Sequence, residues 1–196
     1  MSVAQGSTDA RIERSQAVIR RAALIELSEV GYGLLTIEAV AGRAGVGKST
    51  IYRHWAGKPS LIIDALETLN EQPGPESDDA SPTERVERLV RHFAEVTVDP
   101  VVSGCLVALI DAAERDPELR RLHHRYSAQR RQTLVTAITD GVAAGDFSSW
   151  TDPELTSLAL IGAVLYRRVM TDHPIDPDRI AGLIRIVLGG PDFEQR

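Results

Sequence analysis

At 196 residues, 43% of them hydrophobic and only 5% aromatic, the chain can bury a substantial core as one large or two small domains. No apolar run approaches the roughly 18 residues of a membrane span, and the opening MSVAQGSTDA is polar rather than signal-like, so a cytoplasmic protein without membrane contact is expected. The formal net charge of −6 argues against a chain that is basic throughout, and the single cysteine, Cys105, excludes an internal disulfide.

No stretch alternates polar and apolar residues over strand length, and Ala, Leu, Val, Ile, Arg and Glu dominate, which predicts an all-α fold. Residues 1–10 read as a disordered tail. A first helix is expected from near Thr8 or Asp9 to Val30, with Ile12, Ile19, Ala23, Leu27 and Val30 on one stripe and Gly31 and Gly33 ending it. Its role is to bury the apolar sides of the two helices that follow, with Arg20 and Arg21 solvated.

The stretch from Thr36 to Lys58 reads as two short helices joined by a glycine-containing turn. Thr36 is an N-cap candidate, and Ile37, Val40, Ala41 and Ala44 repeat at helical spacing until Gly45 stops the helix. A second helix can begin at Lys48, with Ile51 and Trp55 turned inward and Lys48, Ser49, Thr50, Tyr52, Arg53 and His54 outward. No carboxylate occurs from Ala39 to Ile63, so this outward set consists of donors suited to a polyanion. Charge division agrees. Over residues 1–60 eight Lys and Arg face five Asp and Glu, so the positive field falls on the end that carries this pattern and the rest of the chain is acidic.

The run TIEAVAGRAGVGKSTIYRHWAGKPSLI resembles the DNA-binding signature of the TetR/AcrR family of one-component repressors. Its elements are Thr, a helix, Ala-Gly-Val at the turn, an aromatic-basic-His-aromatic run, then Lys and an apolar residue. The likeness is strong over residues 13 to 66 and architectural beyond. It implies an all-helical homodimer in which an N-terminal three-helix domain binds double-stranded operator DNA and a helical C-terminal domain binds a small-molecule effector, without a cofactor. Gly47 departs from the common pattern, which has a small polar residue or Pro there.

Within this run, Lys48, Ser49, Thr50 and Arg53 lie on the first two turns of the recognition helix and are candidates for base edges or nearby phosphates. Thr36, Tyr52, His54 and Lys58 resemble family positions that hold the phosphate backbone, and Arg43 is a weaker candidate. His54 could instead cap its own helix. A metal role is not expected, because no second ligand lies nearby at metal spacing. The eight residues Gly42 to Ser49 also match G-x-x-x-x-G-K-[ST], the phosphate-cradling P-loop. That nucleotide-binding alternative needs a strand before the loop and a long helix after it, and the residues predict neither.

Pro59 opens a fourth helix, and EQPGPESDDASP follows as a loop. Ser81-Pro82-Thr83-Glu84 is a capping box that starts a helix to about Val98. Acid-proline pairs at Asp99-Pro100, Asp116-Pro117, Asp152-Pro153 and Asp176-Pro177 mark further boundaries, for about nine helices in all. The predicted domains are 1–10, the tail; 11–58, the helix-turn-helix domain; and 59–196, the effector-binding and dimerisation domain.

Helices near 81–98, 101–114 and 117–144 are candidates to enclose the effector pocket. Phe93, Val96, Leu106, Leu109, Ile110, Tyr126, Arg130 and Trp150 are expected to face inward by periodicity or size, a placement that ordinary core would also explain. The basic run from Arg120 to Arg131 reads as solvated surface. The segment from Asp152 to Met170 is apolar over more than one face, and the last helix adds a second stripe. Leu158, Ile161, Gly162, Leu165, Ile180, Leu183, Ile184 and Val187 are therefore the expected dimer interface.

Overall fold

The computed structural model describes the backbone of residues 3–70 and 80–189 and the side chains of residues 11–69 and 80–189. Residues 71–79 of the expected loop EQPGPESDDASP and the first two residues of the expected tail lie outside the described residues. Among the described residues there are nine α-helices, two 3-10 turns and no strand, as an all-α fold requires. The helices are α1 (Val3–Leu34), α2 (Ile37–Ala44), α3 (Lys48–His54), α4 (Lys58–Glu67), α5 (Pro82–Thr97), α6 (Pro100–Arg115), α7 (Pro117–Ala144), α8 (Pro153–Met170) and α9 (Ile180–Leu188). No single described helix is long and apolar enough to cross a membrane.

Two compact units form, and they do not follow the boundary drawn at residue 58. The first combines Met1–Glu71 with Pro100–His123, and the second combines Gln72–Asp99 with His124–Arg196.

In the first unit α1 is the spine. Ile19, Ala22, Ala23, Leu24 and Leu27 of α1 are buried, as are Ile37, Val40 and Ala41 of α2, Ile51 of α3, Leu61, Ile62 and Ala65 of α4, and Cys105 and Leu109 of α6, and α1 packs against α2, α4 and α6. The stripe is shorter than periodicity suggests, because Ile12 and Val30 remain exposed. The helix itself is longer. It starts at Val3, ahead of the expected Thr8 or Asp9. Gly31, at φ 73° and ψ 168°, has non-helical backbone and ends the regular helix as expected, and a separate short turn runs on to Leu34 across the kink. α6 lies against α1 at very close range. A Cβ at Gly104 would come within 2.7 Å of the Ser28 Cβ, and the Cys105 thiol donates to the Leu24 carbonyl at 3.2 Å, the buried structural role expected of it.

The second unit is built on Val86, Val90 and Ala94 of α5, Leu134, Ala137 and Ile138 of α7, Leu160 and Val164 of α8, and Ile180, Ile184 and Leu188 of α9. Its helix starts follow the sequence signals. Ser81 and Glu84 form the capping box, with the Glu84 amide donating to the Ser81 hydroxyl at 3.3 Å and the Ser81 amide donating to the Glu84 carboxylate at 2.8 Å. Asp152 accepts from the amides of Glu154 and Leu155. The dimer expectation needs correction at Ile180 and Ile184. Spaced four residues apart with Leu188, they form the face of α9 that this unit's own core consumes, so neither offers surface to a partner.

Candidate nucleic-acid interface

The turn at the centre of the candidate site is set by one glycine. Gly45 adopts φ 67° and ψ 31°, its amide closes on Gly42, and the Val46 amide returns to the Ala41 carbonyl, which satisfies the carbonyls at the end of α2. Thr36 caps the other end, its hydroxyl accepting from the Ala39 amide at 3.1 Å. α3 then begins after Gly47, an extended N-cap without a side-chain acceptor. Ile51 and Trp55 are buried, as expected, while Lys48, Ser49, Tyr52 and Arg53 are exposed and Thr50 and His54 are half-buried.

This geometry removes the P-loop reading. Gly42, Arg43 and Ala44 belong to α2, Gly45 to Gly47 form the turn, and the helix that follows is only seven residues long. The chain entering the motif is helical, so no strand converges with α3 on a phosphate.

Three side chains tie α3 to the helices behind it. The Lys48 ammonium donates to the Glu38 carboxylate of α2 at 2.7 Å, and the pair holds Lys48 above and Glu38 below their ordinary pKa values. His54 Nδ1 shares a 3.1 Å hydrogen bond with the Gln16 amide of α1, so its ring is oriented by α1 rather than by its own helix end. The Trp55 indole donates to Asp64 of α4 at 2.8 Å, and Asp64 also receives Arg20 of α1 at 3.0 Å. Arg20 is thus engaged in an ion pair.

Two of the expected phosphate donors have structural partners. Arg43 donates to Glu26 at 2.7 Å and also to Glu29, which raises its pKa chiefly through the Glu26 hydrogen bond and pins α2 to α1. The Lys58 ammonium donates to the carbonyls of Tyr32 at 2.7 Å and Leu35 at 3.1 Å and lies 4.3 Å from the centre of the Tyr32 ring. Lys58 therefore closes the end of α1, and burial pushes its pKa down. The carboxylate-free run in the sequence does not make a carboxylate-free site. Glu26, Glu29, Glu38 and Asp64 all reach it from neighbouring helices, and separations such as the ten residues between Glu38 and Lys48 carry no periodic signal that would have placed them.

Of the expected effector residues in the second unit, Phe93, Tyr126 and Arg130 come together. The Arg130 guanidinium lies 5.6 Å from the Phe93 ring centre and 5.8 Å from that of Tyr126, and it donates to the Tyr126 hydroxyl at 3.3 Å. Val96 is half-buried in the same unit. Leu106 and Leu109 are half-buried and buried in the first unit. Two inward assignments are corrected. Ile110 is 40% exposed because it falls on the outer face of α6, and Trp150 is 71% exposed because it sits in the turn between α7 and α8, where size alone cannot turn a ring inward. Arg131, from the basic run, pairs with Glu154 at 2.7 Å.

Two family models match the chain. One, for bacterial regulatory proteins of the tetR family, covers residues 19–65, and the other, for the tetracyclin repressor-like C-terminal domain, covers residues 76–187. An HTH-type transcriptional regulator of Mycobacterium tuberculosis is 29% identical over 188 residues, spanning 92% of this chain and 84% of the relative. The HTH-type transcriptional regulator YdeS of Bacillus subtilis is 25% identical, over 89% and 88% of the two chains. Among solved structures, the transcriptional regulator FadR from Bacillus subtilis, in complex with stearoyl-CoA, superposes with a TM-score of 0.73 at 20% identity, over 88% of this chain and 97% of that one. A TetR transcription regulator from Haloarcula marismortui does so with a TM-score of 0.72 at 21% identity, over 90% and 97%. The seven-residue helix on its buried scaffold is thus the second helix of a helix-turn-helix, and the chain belongs to the TetR family of DNA-binding transcriptional regulators.

Proposed function

We propose that the chain is a ligand-responsive repressor that binds a palindromic operator as a homodimer and is released by a small-molecule effector. The observation that carries the reading is α3: short, exposed on its donor-bearing side, and fixed from behind by side chains of α1, α2 and α4. Such a helix can be presented to a major groove without deforming. Residues 11–58 form the DNA-binding part. Lys48, Ser49, Thr50 and Arg53 face bases and adjacent phosphates, and Thr36, Tyr52 and His54 face the phosphate backbone. Residues 59–196 supply effector binding and dimerisation.

Dimerisation is supported by α8, where Leu155, Leu158, Ala159, Gly162 and Tyr166 are exposed at three- and four-residue spacing, a stripe too apolar to leave in water. Ile161, Leu165, Leu183 and Val187 flank it, half-buried. For the effector, the grouping of Phe93, Tyr126 and Arg130 supports a site in the second unit, and the structural neighbour FadR was solved with stearoyl-CoA bound. Effector binding would favour a dimer whose recognition helices no longer match two successive grooves.

Titration of the protein against the DNA upstream of its own reading frame, followed by fluorescence anisotropy, tests the reading. Lys48→Ala, Thr50→Ala and Arg53→Ala should each weaken binding by about tenfold, or about 1.4 kcal/mol, toward the lower end of what a lost base contact costs. Unchanged affinity in all three would remove α3 from the interface.

A further inference from the structure

Lys48 is the first residue of α3, at the positive end of a helix whose N-cap has no side-chain acceptor and whose first turn has no acid. The negative charge facing that end comes from outside the helix. Glu38, on the first turn of α2, puts a carboxylate oxygen 2.7 Å from the Lys48 ammonium, and both side chains are more than half exposed. Arg53, also on α3, makes no ion pair among the described residues. A solvent-exposed carboxylate 2.7 Å from the Lys48 ammonium occupies the place a phosphate oxygen would take at that group.

We propose that Glu38 is an internal phosphate surrogate that masks Lys48 and sets the affinity of this chain for duplex DNA. Two costs follow from it. The Lys48–Glu38 pair must be broken before Lys48 can neutralise a phosphate, and the released carboxylate is then left beside a polyanion. Both act on phosphate contacts rather than base contacts, so the mask lowers binding to any sequence and hides one cation per protomer from the salt dependence. The acid also suits α2, because a carboxylate on a helix's first turn is stabilising, so Glu38 serves the fold of the free protein while opposing the complex.

The inference rests on the placement of Lys48 against DNA, and a four-protein cycle separates the two. Wild type, Glu38→Gln, Lys48→Ala and the double variant are titrated, over a series of salt concentrations, against the upstream duplex and a scrambled duplex of equal length. Glu38→Gln should bind both duplexes about three- to tenfold more tightly at low salt and steepen the salt slope by about 0.9 per protomer. When Lys48 is already Ala, the slope change should vanish and the gain should shrink to the part owed to the carboxylate's own repulsion. A gain of affinity cannot come from misfolding.

Equal or weaker binding by Glu38→Gln, with Lys48→Ala still impaired, would overturn the mask alone. The same gain in the Lys48→Ala background would also overturn it, by reducing Glu38 to net charge. Lys48→Ala binding like wild type would instead remove Lys48 from the DNA, and the inference with it.

Discussion

Asp64 holds two groups at once, the Trp55 indole and the Arg20 guanidinium, and through them it joins α3, α1 and α4. Trp55 is 6% exposed, and Asp64 is the partner its N–H has in the structure. Trp55→Phe keeps an aromatic ring in the core and deletes the donor. Asp64 keeps Arg20, so the charge is not stranded, and the cost should stay near that of a single hydrogen bond to a charged acceptor, about 1.5–3 kcal/mol. Urea unfolding followed by circular dichroism measures it; loss of the Trp55 emission makes fluorescence unsuitable. Stability equal to wild type would mean that the indole bond contributes nothing net. At this scale the sequence was half legible. Burial of Trp55 followed from its spacing with Ile51, but its partner lies nine residues on in another helix, where only the crossing of two helices brings it near.

Helix ends were the most legible elements, because capping is local chemistry. The Ser81 to Glu84 box and the Asp152 cap need only residues within one turn, so the pattern and the structure coincide. The box also predicts a pH dependence. The Ser81 amide, then its hydroxyl, hold the Glu84 carboxyl below its ordinary value of 4.5. Between the folded and unfolded values the unfolded chain binds more protons, so this stabilisation is complete above about 4.5 and is lost as pH falls through the lowered folded value. Glu84→Gln keeps an acceptor for the box but does not titrate. The melting-temperature advantage of wild type over this variant should therefore shrink as the solution is taken from about pH 6 to about pH 3. A difference that is constant across that range would show that the carboxylate charge plays no part.

Close packing between elements was not legible. Nothing local distinguishes Gly104 from the other glycines, yet it is where α6 meets α1, and an added methyl would lie 3.0 Å from the Ser28 backbone as well as 2.7 Å from its Cβ. Backbone cannot swing aside as a flexible side chain can. Gly104→Ala should therefore force the helices apart and cost about 1–3 kcal/mol in chemical unfolding, despite alanine's better helix propensity. A gain in stability would mean that α1 yields at this point. Gly31 is the contrary case: its role as a stop is local chemistry, and it takes a non-helical φ of 73° where the regular helix breaks.

For the whole molecule the decisive division lies within the apolar residues of the last two helices, which composition could not sort. Periodicity assigned Ile184 and Leu158 alike to a partner-facing stripe. The structure puts Ile184 in the core of its own unit at 6% exposure and leaves Leu158 outside at 47%. The two positions should therefore respond differently to the same change. Leu158→Arg places a charge on the exposed side of α8 between Leu155 and Gly162, at a position outside the unit's buried core, so the protomer should keep its helical content. If α8 forms the symmetric interface, the substitution sets two like charges near the twofold axis, and sedimentation should show a monomer where wild type is a dimer. Operator affinity should fall by about a hundredfold or more, because the second half-site is no longer tethered to the first. Ile184→Arg should instead unfold the unit by burying an unpaired charge. A Leu158→Arg protein that remains dimeric and binds its operator normally would place the interface on another surface of the chain.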